Sequence, residues 1–199
     1  MGTKTLLGAL LFSLSLSAQA IPIVKHIVEN GQLVGAENVN VNGVWYDVKF
    51  ADGTCIDLFS GCDENSDFIF STFSSVQMAS EALIDQVLVD LSPELNFDSD
   101  PSKTFGCDFI TACRSQIPFR TAFNSPTRVA VSGPTNYRES NSVGISGSWP
   151  DSWDTTRYGL LNFAVWTEKV HTIPEPSTIA LLGLGLLGIG WTRSKKPQH

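Results

Sequence analysis

The sequence predicts an α+β domain in which an antiparallel sheet of about four to six strands carries one main helix. Three observations lead there. Two alternating apolar runs meet at Asn42-Gly43. An apolar stripe at helical spacing runs from Ser74 to Leu91. Two further alternating or apolar runs stand at 127–132 and 160–167.

Along Glu37 to Phe50, Val39 and Val41 alternate with polar residues, and after Asn42-Gly43 so do Val44, Tyr46, Val48 and Phe50. Asn-Gly between two such runs predicts a hairpin closed by a type I′ turn. A two-residue turn pairs Val41 with Val44 and Val39 with Tyr46, so the apolar residues share one face. Trp45, Asp47 and Lys49 fall on the other. Asp52-Gly53 marks the next turn.

The helix is expected over Ser74–Leu91. Ser74 and Gln77 have the spacing of a capping box, and Val76, Ala79, Leu83, Ile84, Val87, Leu88 and Leu91 form the apolar stripe. Ser92-Pro93 ends it, because the residue before proline is pushed away from helical backbone. A weaker strand is expected near Val143–Trp149. The stretch Gly133–Thr156, rich in Gly, Ser, Asn and Pro, reads as mostly loop.

The two ends fall outside this domain. Lys4, the apolar run Leu6–Leu16 and Ala18-Gln19-Ala20 stand in the order of a secretory signal peptide, expected at 1–20 and cut after Ala20. Its handlers would be the Sec translocon and signal peptidase. At the other end Ile179–Trp191 is apolar and is followed by Arg193, Lys195 and Lys196. As a helix this run is about 20 Å long, short for a bilayer core of roughly 30 Å. Gly183, Gly185, Gly188 and Gly190 weaken it further. The basic end should stay in the cytoplasm and leave the domain outside. Gly183 to Gly188 also fits G-x-G-x-x-G, but no βαβ unit surrounds it, so it predicts no dinucleotide site.

Ile173-Pro174-Glu175-Pro176-Ser177-Thr178 precedes this run. Pro-Glu-Pro, a short Gly/Leu-rich helix and a basic end together resemble the PEP-CTERM sorting signal, over Ile173–His199. Ile173 in place of the frequent Val, and Arg-Ser-Lys-Lys in place of an Arg-rich end, are mild departures. The resemblance implies that an exosortase, a membrane transpeptidase, recognises and processes the tail, in bacteria that produce exopolysaccharide. It divides the chain into a signal peptide (1–20), an exported domain (21–172), the sorting motif (173–178), a short transmembrane helix (179–192) and a basic cytoplasmic tail (193–199). It also implies transient anchoring in the inner membrane and a final place at the cell surface or beyond. The two prolines agree, since they fix φ, lack N–H donors and keep the segment extended and open to a protease.

Four of the 13 basic residues (Lys4, Arg193, Lys195, Lys196) and one of the 20 acids (Glu175) lie in the ends, so the exported domain holds nine basic against 19 acidic residues, a net charge of −10. That charge argues against nucleic acid as a partner. Four cysteines in an exported domain predict two disulfides, and the short spacings favour Cys55–Cys62 and Cys107–Cys113. No thiol is then left as a nucleophile, and His26 and His171 stand at the domain's extremes. No catalytic group, metal or cofactor is expected, and the domain reads as non-enzymatic. A secreted hydrolase with a dispersed carboxylate pair is the remote alternative.

Two binding features remain. Asp63-Glu64-Asn65-Ser66-Asp67 and Asn96-Phe97-Asp98-Ser99-Asp100 place oxygen ligands at alternate positions, as Ca²⁺ sites do. They lack the glycine and the closing glutamate of an EF-hand, and read first as solvated turns. Trp149 and Trp153 alternate with acids in a loop and would suit an exopolysaccharide, or would simply cover the core.

Overall fold

The computed structural model describes residues 22–122, 125–144 and 146–170. The predicted signal peptide, sorting motif, membrane helix and basic tail lie outside them, as does His171.

The chain runs through β1 (Lys25–Glu29), β2 (Gln32–Val41) and β3 (Val44–Ala51) as two successive hairpins. Each turns on Asn-Gly: Asn30-Gly31 with φ of 50° and 81°, Asn42-Gly43 with φ of 50° and 88°. Positive φ at both positions is the I′ signature, and its twist matches that of the flanking strands. Val41 faces Val44 and Val39 faces Tyr46, the register read from the sequence. Val39, Val41, Tyr46, Val48 and Phe50 are buried. Val44 departs from the expected face, at 39% exposure beside the turn.

A short helix α1 (Cys55–Leu58) and the main helix α2 (Phe73–Gln86) follow, then β4 (Ala112–Ala122), β5 (Ser125–Ser132), β6 (Thr135–Tyr137), β7 (Ser140–Ser142), β8 (Gly147–Pro150) and β9 (Leu161–Glu168). The strands lie in the order β1-β2-β3-β9-β4-β5-β8, with β6 also on β4 and β7 on β6. Nine strands replace the four to six expected, and the domain is mostly sheet. Three of the nine are short and sit in the Gly/Ser/Asn/Pro-rich stretch that read as loop. The sheet is not wholly antiparallel either. β4 and β9 run parallel, with Arg114 opposite Leu161 and Gln116 opposite Phe163.

The helix begins earlier and ends sooner than expected. Thr72 is its cap, and Thr72 and Ser75 bond each other's backbone N–H groups reciprocally, the role assigned to Ser74 and Gln77. It stops at Gln86 because that side chain serves β2. Gln86 accepts from the Asn40 N–H at 2.9 Å and donates to the Asn40 carbonyl at 2.8 Å, taking the place of a neighbouring strand. The N–H groups of Val87 and Leu88 both converge on the Leu83 carbonyl, at 3.0 and 2.8 Å, and close the last turn.

Val76, Ala79 and Leu83 seat α2 on the sheet, against a core that includes Leu33, Val39, Phe50, Ala164 and Trp166. Each large apolar side chain so buried contributes about 1.5–3 kcal/mol. A second core lies around Cys55, Cys62, Phe68, Val129, Val131 and Phe163. β9 serves both, since its alternation sends Ala164 and Trp166 one way and Phe163 and Val165 the other. Cys55–Cys62 and Cys107–Cys113 are both disulfides, with Cα atoms 5.8 and 5.7 Å apart.

His26 corrects an expectation. It is not at a loose end but within β1, half-buried, with Nε2 3.0 Å from the Val87 carbonyl and its ring stacked on Phe97. Burial pushes its pKa below the ordinary 6.5, against the raising effect of the backbone carbonyls. Folding therefore favours the neutral ring. The associated stability is intact above about pH 6.5 and is lost as pH falls through the lower folded value. The melting temperature should fall from pH 7 towards about pH 5. His26→Gln, which keeps a donor for Val87 and cannot titrate, should flatten that decline.

Between β5 and β6 the backbone crosses close to β4. A Cβ on Gly133 would stand 1.8 Å from the Ser115 carbonyl oxygen. Gly133→Ala should lower stability by at least the ~1–3 kcal/mol of an overpacked core site, measured by urea denaturation.

Candidate functional site

The parallel pairing of β4 with β9 brings the starts of both strands side by side, and a cleft of about 500 Å³ opens there. Phe109 and Ala112 come from the loop that Cys107–Cys113 closes. Arg114 comes from β4, Thr135 and Tyr137 from β6, and Arg157 to Leu161 from the approach to β9. Backbone bonds fix these walls to one another: Asp108 N–H to Gly159 at 2.7 Å, Arg114 N–H to Leu160 at 2.8 Å, and Arg138 N–H to Thr111 at 3.1 Å. Gly159 has no side chain for a reason, since a Cβ there would lie 2.5 Å from an Asp108 carboxylate oxygen.

The lining is aromatic and cationic. Phe109, Tyr158 and Tyr137 are 50%, 43% and 38% exposed, well above the usual burial of rings in a domain of this size. Arg114 is held through Nε, which donates to Thr135 Oγ1 at 3.1 Å. Arg157 is exposed and makes only a loose ion pair, with Nε 3.8 Å from Asp154 Oδ2. The Thr156 hydroxyl and N–H in turn bond Asp154 and hold its carboxyl below the usual range. An arginine tethered at Nε keeps its two terminal NH₂ groups for a planar anion.

None of these residues stands out in the sequence. They lie in separate segments, 109–114, 135–137 and 157–161, and no short-range spacing links them. The one legible hint is the Cys107–Cys113 loop, which contains two exposed apolar residues, Phe109 and Ile110.

Trp149 and Trp153 do come together, with ring centroids 3.8 Å apart, and Trp153 meets Tyr158 edge-on at 5.0 Å. Both are only half-buried, and Trp149 packs on the second core beside Val129 and Val131. The acidic segments form turns. Asp67 accepts from the N–H groups of Asp63 and Glu64, and Asn65 accepts from that of Thr121. Asn96 accepts from Lys103 Nζ, and Asp98 from Asn141 Nδ2. Among the described residues no group of three or more His, Cys, Asp or Glu is placed to hold a metal ion.

Asp52 lies near the foot of the same region. Burial pushes its pKa up, a bond from Thr155 opposes this, and Asp108 and Asp154 add to the rise. It therefore resists ionisation in the folded chain.

Trp149→Ala should cost about 2–3 kcal/mol of stability, less than a fully buried ring, seen as a lower urea midpoint. An unchanged midpoint would return Trp149 to the role of a free sugar platform.

Among the described residues no helix is long and apolar enough to cross a membrane. No curated protein and no solved structure matches the chain. Residues 172–194 do match a family model, that of the PEP-CTERM protein-sorting motif. The match covers Pro174-Glu175-Pro176, the glycine-rich run and Arg193, so the chain carries the sorting tail of a PEP-CTERM protein.

Proposed function

We propose that this chain is an exported surface or matrix protein, delivered through the Sec translocon, trimmed by signal peptidase and processed at its tail by an exosortase. The single observation that carries the reading is the sorting motif at 172–194. Two prolines around Glu175 present an extended segment to a protease. The short apolar run behind them serves as a membrane handle during processing, and the basic end keeps that handle oriented.

The folded domain, in this reading, acts by binding or by its presence and not by catalysis. All four cysteines are in disulfides. His26 is engaged by Val87 and Phe97. Nucleophilic chemistry needs a thiol or hydroxyl within reach of a free base, and neither group supplies one.

Mass spectrometry of the secreted protein from a host with an active exosortase tests the tail. The wild-type chain should appear with a mass lacking the basic end. Pro174→Ala combined with Glu175→Ala should leave the chain unprocessed in the inner membrane. An unchanged mature mass in that double variant would refute the reading.

A further inference from the structure

We propose that the cleft between the starts of β4 and β9 binds an acidic oligosaccharide, a segment of a uronate-bearing polysaccharide. Its rings would stack on Tyr137, Tyr158 and Phe109, and its carboxylates would pair with Arg114 and Arg157. The inference is independent of how the tail is processed.

The first support is charge. The exported domain has a net charge of −10, yet two of its nine cationic side chains line one cleft. Arg114 is anchored through Nε, so its fork is aimed before a ligand arrives, and Arg157 stands at the rim with only a loose ion pair to Asp154. Such preorganisation removes part of the ordering cost of binding.

The second support is the chemistry of the walls. Three exposed rings around one concavity offer flat apolar faces to the C–H faces of sugars, and two of them add hydroxyls for hydrogen bonds. The volume of about 500 Å³ falls within the usual range for small-ligand sites. A protein partner would call for a broader surface, about 800 Å² per side. The third support is rigidity. The Cys107–Cys113 disulfide and the bonds from Asp108 and Arg114 to Gly159 and Leu160 hold both walls in place.

Outside the cleft the acidic surface repels a polyanion. Charges more than about 8–10 Å away are screened at physiological salt, so the arginine contacts dominate at short range. Affinity should accordingly fall as salt rises.

Calorimetry on the full-length chain in a mild detergent provides the test, with hexagalacturonate, neutral maltohexaose and a poly-glutamate peptide as probes. Hexagalacturonate should bind, and maltohexaose should bind at least about tenfold more weakly, the value of one charge-assisted pair. Arg157→Gln should weaken hexagalacturonate by about tenfold with the melting temperature unchanged, and Tyr158→Ala should do so with at most a small drop in melting temperature, since its ring meets Trp153. Arg114→Gln should do the same, and a drop in its melting temperature would leave the two exposed variants to decide. No hexagalacturonate binding, equal affinity for maltohexaose, or indifference to both exposed substitutions would overturn the proposal. Equal or tighter binding of poly-glutamate would overturn it in favour of an acidic peptide.

Discussion

The double engagement of β4 is the constraint on which the rest of the domain depends. Its first half, Ala112–Gln116, lies between β6 and the parallel strand β9, and its second half pairs with β5, which carries β8. The change of partner falls between Gln116 and Ile117, and the register shifts just past Pro118. Proline cannot donate to a ladder, so a bend or irregularity is the natural place for it within a sheet. Through β4 the helix-covered core and the second core become one continuous sheet. The branch also explains why polar side chains are buried here. Asn136 and Asn162 are fully enclosed, and each donates an amide N–H to a loop carbonyl, Phe97 at 2.8 Å and Phe105 at 2.6 Å. Buried amides persist where they find such partners, and these two tie the long segment after α2 to the branch.

The same strand marks the limit of what the sequence discloses. The β2–β3 hairpin was legible because turn chemistry and side-chain alternation agree, and each constrains the other. The disulfides were legible because the spacings are short and the tail motif points to an exported chain. β4 was not, since Ser115 and Gln116 are polar yet buried, and Pro118 reads as a breaker. β1 had the same Asn-Gly signal as its neighbour, but its register shifts between Ile27 and Val28 and the alternation is blurred. The helix end was misread for a third reason. Val87 and Leu88 are apolar and buried, but they belong to the turn that leaves the helix. Periodicity reports which residues are buried, and it cannot tell a last helical turn from the loop that follows it.

The cleft was hidden for a topological reason. A parallel pair requires a long crossover, and between β4 and β9 the chain makes four strands, three of them short, before it returns. Residues far apart in sequence meet only when that crossover closes. Tyr158 shows how the candidate site and the core are joined, because it abuts Trp153, which abuts Trp149 on the second core. The tryptophans singled out in the sequence therefore support a wall of the cleft from behind.

The junction between domain and tail follows from Lys169. Its N–H donates to the Trp45 carbonyl at 2.8 Å, and its ammonium reaches Asn38 Oδ1 at 2.8 Å, Asp47 Oδ1 at 3.0 Å and Glu37 Oε2 at 3.7 Å. A single exposed ion pair is worth little, but one ammonium shared by three acceptors on β2 and β3 fixes where the chain leaves the sheet. Pro174 is only five residues further on, a reach of at most about 18 Å. In the proposed reading, a tail held in the membrane therefore keeps the β2–β3 end of the sheet within a short reach of it.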